Sequence, residues 1–91
     1  MQVKFYASLR QAAGIKMMEV EFQEGMTIHD VLCMVTDQYP VLNNFIWREQ
    51  GALSEHAHIF INSHDIRHLA GLATVMKPED RVDVFPPLVG G

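Results

Sequence analysis

Thr27-Ile28-His29-Asp30-Val31-Leu32-Cys33-Met34-Val35-Thr36-Asp37-Gln38-Tyr39-Pro40 is the stretch around which the rest of the chain is arranged. Ile28, Val31, Leu32, Val35 and Tyr39 recur at helical spacing and form one apolar stripe. Thr27 is a good N-cap, and Asp30 lies three residues on. Asp is a weaker partner than Glu in a capping box, but its charge suits the positive end of a helix. Pro40 stops the helix. A helix with a single apolar stripe needs a second apolar layer to cover it.

The flanking segments supply that layer as strands. Val3, Phe5 and Ala7 alternate with Lys4, Tyr6 and Ser8, which predicts a strand with one buried face. Gly14 and Lys16 mark a turn. Met18, Val20 and Phe22 then alternate with Glu19 and Glu21, which predicts a second strand in an antiparallel hairpin that ends at Gly25. After the helix, Leu42, Phe45 and Ile46 fit one short helical turn. His58 to Ile61 reads as a strand, with Ile59 and Ile61 on one face and His58 and Phe60 on the other. Asn62-Ser63 is a turn, Ile66-Arg67-His68 a short return strand, and Leu69 to Thr74 a loop or 3₁₀ turn. After the Pro78-Glu79-Asp80 turn, Arg81 to Phe85 is the last strand, with Val82 and Val84 opposite Arg81, Asp83 and Phe85. Pro86-Pro87 has no N–H to give, so the sheet ends there.

The expected fold is therefore α+β: a mixed sheet with one main helix across one face. Placing the first and last strands side by side and parallel buries all the apolar faces together, which is the β-grasp, or ubiquitin-like, arrangement. The expected organisation is one domain over residues 1–85 and a flexible C-terminal Gly-Gly tail over 86–91.

Composition narrows the function. The chain has 91 residues, 48% of them hydrophobic, enough for one small core and too many for a disordered chain. A net charge of −4 speaks against binding a phosphate backbone, so no nucleic-acid partner is expected. One cysteine, Cys33, excludes an intrachain disulfide and fits a reducing compartment. The N-terminal residues lack a signal-peptide pattern, and no apolar run approaches a membrane span. The expected location is the cytoplasm, without a membrane partner.

The candidate chemistry lies in Pro86-Pro87-Leu88-Val89-Gly90-Gly91. Two glycines without side chains fit a slot too narrow for other residues and present an α-carboxylate at Gly91. Six residues at about 3.3–3.6 Å each reach roughly 20 Å from the sheet. The prolines stiffen the exit and reduce the entropy lost on docking. Beside this tail, alternation turns Tyr6, Phe60 and Phe85 outward, and Ile66 extends the patch. An apolar patch next to a reactive end is a docking surface. Arg10 either pairs with an acidic residue of a partner or is solvated. His56, His58, His64 and His68 lack the converging ligands that zinc needs, so no metal is expected. Cys33 lies off the centre of the helical stripe with no cation to lower its pKa, and reads as an ordinary, partly buried thiol.

Four stretches resemble one family: Val3-Lys4-Phe5-Tyr6-Ala7-Ser8-Leu9-Arg10 through Gly14; Gly25-Met26-Thr27-Ile28; Ile61-Asn62; and Asp80-Arg81-Val82-Asp83-Val84-Phe85-Pro86-Pro87-Leu88-Val89-Gly90-Gly91. They are similar to the ubiquitin-like sulfur carriers of MoaD/ThiS type, above all the small subunit of molybdopterin synthase. The resemblance implies that Gly91 is the working residue, reached through Gly90. An ATP-using, ubiquitin-activating-type adenylyltransferase (MoeB-like) adenylates the carboxylate, and a sulfur donor converts it to a thiocarboxylate. The large subunit of molybdopterin synthase (MoaE-like) then receives the tail, and the sulfur goes into the dithiolene of a molybdenum or tungsten cofactor. Tyr6 and Phe85 match aromatic contact positions of the family, and Pro86, Pro87, Leu88 and Val89 match its tail. The chain has no phosphate-binding Gly-Lys-Ser/Thr loop, so no cofactor of its own is expected. Alternatives are a protein modifier joined to lysines, a carrier for thiamine synthesis or tRNA thiolation, and a regulatory β-grasp domain without chemistry.

Overall fold

Strand β1 covers Gln2–Phe5 and is shorter than its alternation predicts. The computed structural model describes residues 1–86, and Ala7 begins a helix within them, α1 (Ala7–Ala13). Ala7 therefore does not extend the strand, and the first two strands are joined through a helix rather than a tight hairpin turn. Ala, Leu, Arg and Gln are strong helix formers, and Gly14 closes α1 in the left-handed conformation (φ 77°), its N–H donating to the Arg10 carbonyl. Strand β2 is Met17–Glu19, so Val20 and Phe22 follow the strand instead of lying in it.

The main helix, α2 (Ile28–Gln38), forms as its sequence predicts. The Thr27 hydroxyl accepts from the Asp30 N–H, and the Asp30 carboxylate accepts from the Thr27 N–H at 2.9 Å, completing a capping box with Asp in place of Glu. The Thr27 N–H above all, and a Thr27 hydroxyl donating at 3.2 Å, hold the Asp30 carboxyl below its ordinary pKa. Helix α3 (Asn43–Ile46) follows a 3₁₀ turn at Pro40–Leu42.

Strand β3 is His58–Ile61. Asn62 and Ser63 both take positive φ (50° and 72°), which makes a two-residue turn of the kind that suits a twisted hairpin. The return strand, β4, therefore starts at once, at His64–Asp65, and Ile66–His68 is a 3₁₀ turn rather than the expected strand. Strand β5 is Arg81–Phe85. Hydrogen bonds tie the β3–β4 turn to the start of β5. Asn62 Nδ2 donates to Asp80 Oδ1 at 2.8 Å, and Asn62 Oδ1 accepts from the Arg81 N–H at 3.0 Å. These bonds join two of the short motifs singled out in the sequence.

The sheet order is β2-β1-β5-β3-β4. β1 and β5 are parallel and central, with Val3 beside Val82 and Phe5 beside Val84. β3 runs antiparallel to β5, with Ile59 beside Val84 and Ile61 beside Val82. These six residues share one face and are buried with Ile28, Val31, Leu32 and Val35 of α2. Among the described residues, no helix is long and apolar enough to cross a membrane.

Candidate functional site: the outer face at the end of β5

The same strands turn their other residues away from α2. Tyr6 leaves β1 in extended conformation, its N–H donating to the Val84 carbonyl at 3.3 Å, which prolongs the β1–β5 pairing by one residue. Its ring stacks on Phe85, with centroids 4.2 Å apart and planes 12° from parallel. Phe60 meets Phe85 edge-on, at 5.5 Å and 85°. Offset and edge-to-face arrangements of this kind are the favoured aromatic geometries. All three residues are half-buried, so each keeps part of its surface accessible.

Polar groups fix the cluster. The Tyr6 hydroxyl donates to Asp83 Oδ1 at 2.9 Å, and this bond is the main cause of a raised Tyr6 pKa. Asp83 sits between Lys4 and Phe60 in the strand register. His58, Phe60, Ser63, Asp83 and Phe85 line an open groove of about 430 Å³. Arg67, from the turn after β4, braces His58, with its guanidinium 3.3 Å from His58 Nδ1 and donating to the Ala57 carbonyl at 3.1 Å. Arg10 borders the cluster from α1. Its Nε donates to the Phe5 carbonyl at 3.3 Å, and its guanidinium carbon lies 6.0 Å from the Tyr6 ring centre, at the outer limit of a cation–π contact.

The structure thus brings Tyr6, Phe60 and Phe85 together, as the strand alternation predicts, and α1 adds Arg10 at their edge. It removes two other residues from the surface. Ile66 is 1% exposed and belongs to the core. The 3₁₀ turn, begun where the Asp65 carboxylate accepts from the Arg67 N–H at 2.9 Å, points Ile66 inward. Pro86 is buried as well, so it anchors the strand end rather than offering a contact. Pro87, Leu88, Val89, Gly90 and Gly91 lie outside the described residues. Asp83 was not singled out from sequence, and His58 was considered only as a metal ligand, although both follow from the alternation that placed Phe85 and Phe60.

Cys33 is half-buried, with its sulfur 3.8 Å from the His29 ring nitrogens, and burial pushes its thiol pKa up. That is the opposite of what a sulfur nucleophile needs. Among the described residues, no three His, Cys, Asp or Glu side chains converge to hold a metal ion.

Comparison with known proteins places this geometry in a family. A model of the ThiS family matches residues 3–91. The chain belongs to the ThiS family. It has the fold of the ThiS/MoaD ubiquitin-like sulfur carriers. This ThiS-family chain is 31% identical to small archaeal modifier protein 3 of Haloferax volcanii over 91 residues, covering 100% of the chain and 98% of that protein. The solution structure of small archaeal modifier protein 1 from Methanosarcina acetivorans superposes with a TM-score of 0.87 at 36% identity, over 99% of this chain and 94% of that one. A Pyrococcus furiosus chain assigned as molybdopterin converting factor, subunit 1, superposes with a TM-score of 0.77 at 25% identity, over 96% and 95%. In this ThiS-family chain the aromatic face lies at the end of β5, the strand that leads into residues 86–91.

Proposed function

We propose that this chain is a ubiquitin-like carrier whose Gly91 carboxylate is activated by a partner enzyme and then delivers sulfur. The observation that carries this reading is the Tyr6–Phe85–Phe60 cluster. Phe85 is the last residue of β5, so an enzyme gripping this face holds the domain at the root of the Gly-Gly segment. Gripping the domain converts capture of the carboxylate into a local search at high effective concentration.

The chemistry needs little from the chain. A Gly91 carboxylate oxygen attacks the α-phosphate of ATP and pyrophosphate leaves, giving an acyl adenylate. A persulfide sulfur on a donor protein attacks the acyl carbon and AMP leaves. A thiol then cleaves the resulting acyl disulfide, forming a disulfide with the donor's sulfur and releasing the thiocarboxylate. Membership of the ThiS family and likeness to the Pyrococcus chain support the sulfur route, with molybdopterin dithiolene synthesis as its destination. The activating partner is then a MoeB-like adenylyltransferase and the acceptor a MoaE-like large subunit.

A second reading is supported by the relatives named as modifiers. A lysine amine of a target protein attacks the same acyl adenylate, AMP leaves, and an isopeptide forms as the amine loses a proton. The two fates share activation and diverge at the nucleophile. Intact-mass spectrometry of the chain from its native host separates them. One oxygen-to-sulfur exchange at the C-terminus is the expected result. Branched Gly-Gly remnants on lysines of other proteins, with no sulfur exchange, would replace the first reading by the second. Neither product, with normal behaviour after deletion of Gly91, would overturn both.

A further inference from the structure

Three of the chain's seven Lys and Arg residues border one groove, of about 290 Å³, at the α1 end of the sheet. Lys4 comes from β1, Arg10 from α1 and Lys16 from the approach to β2, and Phe5, Tyr6 and Met17 complete the lining. The local pairing gathers them. Lys4 lies opposite Met17, the Phe5 N–H donates to the Lys16 carbonyl at 2.9 Å, and Arg10 is tethered to the Phe5 carbonyl. All three cations are exposed, and none forms an ion pair among the described residues. Lys4 faces Asp83 across the β1–β5 pair, but Asp83 Oδ1 takes the Tyr6 hydroxyl.

In a chain of net charge −4, three clustered cations without ion pairs are unfavourable to one another until an anion arrives. Their stems are long and exposed, and the groove is open. That suits an extended segment carrying several carboxylates better than one buried phosphate. Tyr6 forms one wall of the groove and stacks on Phe85, so the groove continues into the aromatic face.

We propose that this groove docks an acidic segment of the enzyme that activates the chain. The identity of that partner rests on the function proposed above; the acidic chemistry of the occupant does not. Charged rims of this kind set encounter rate and orientation, so the groove would align the partner at the root of residues 86–91.

The test uses the full chain and the adenylyltransferase of its own host, with Kd measured across salt concentrations. Lys4→Glu with Lys16→Glu leaves the Arg10 tether in place. Arg48→Glu with Lys77→Glu changes net charge equally, away from the groove. The first pair is expected to weaken binding about tenfold or more and to flatten the salt dependence. The second pair should change it less than about threefold. Melting curves confirm that both variants are folded. Equal losses from the two pairs, or none from the first, would overturn the proposal. If the wild-type chain does not bind the enzyme, the functional reading fails, and an oligoglutamate peptide titrated into labelled chain decides the groove separately. Amide shifts concentrated at Lys4, Arg10, Lys16 and Met17, and lost in the Lys4/Lys16 variant, would uphold it. Shifts spread over all the cations would end it.

Discussion

Val84 and Phe85 are adjacent on β5, yet they serve opposite faces of the sheet. Val84 is fully buried, with Phe5 beside it on one strand and Ile59 on the other. Phe85 is half-buried and, among the described residues, meets the rings of Tyr6 and Phe60. The strand period of two turns one sequence into two surfaces with separate work. The inner face supplies stability through area removed from water, and the outer face leaves part of its aromatic residues accessible, which the proposed docking would use. The comparison teaches that fold and function can be damaged separately in this chain.

Ile66 is where that separation was misread from sequence, and it gives the largest expected effect. As a core residue, Ile66→Ala should cost about 2–5 kcal/mol in denaturant unfolding. The fraction that remains folded should bind partners normally. Near-normal stability with impaired binding would return Ile66 to the outer face.

The capping box tests the inner layer at its edge. Thr27→Ala should cost about 1 kcal/mol, because the Asp30 N–H loses its acceptor. Asp30 adds a pH signature. Its folded pKa is depressed, so the unfolded state holds the proton more tightly. The contribution is present above the ordinary carboxylate value and disappears as pH falls through the folded one. In Asp30→Asn this acid-side slope should shrink, as thermal melts between neutral and acid pH would show.

The smallest expected effect lies on the outer face. Asp83→Ala removes the main cause of the raised Tyr6 pKa, the hydrogen-bond acceptor, together with its charge, so the Tyr6 phenol should titrate closer to the ordinary tyrosine value, as ultraviolet absorbance would record. Stability should change by no more than about 1 kcal/mol, the range of one partly exposed hydrogen bond. An unchanged titration would mean that Asp83 does not hold the ring.

Much of this was legible in the sequence, for physical reasons. The helix stripe and Thr27 cap gave α2, and alternation gave both faces of β1, β3 and β5. The pairing of Tyr6 with Phe85 followed from placing the first and last strands side by side. Three features were not legible. Ala7 fits the alternation of β1, which hid the start of α1, although Gly14 and the Ala-rich run marked a helix. The Asn62-Ser63 turn needs only two residues, so β4 begins earlier than a longer turn would allow. Ile66 then falls in a 3₁₀ turn, where period-two reasoning no longer says which way a side chain points. Asp83 was missed because strand alternation picks out apolar residues over the polar groups beside them, and His58 was weighed against zinc rather than against the aromatic face.

The paired substitution of the two β5 neighbours tests the central claim most directly. Unfolding free energy and affinity for the activating enzyme should be measured together for Val84→Ala and Phe85→Ala. Val84→Ala should lose about 2 kcal/mol of stability, while its folded fraction binds like the wild type. Phe85→Ala should lose about 1 kcal/mol or less and weaken binding about tenfold or more. A Phe85→Ala protein that unfolds as easily as Val84→Ala and binds its partner normally would contradict the account.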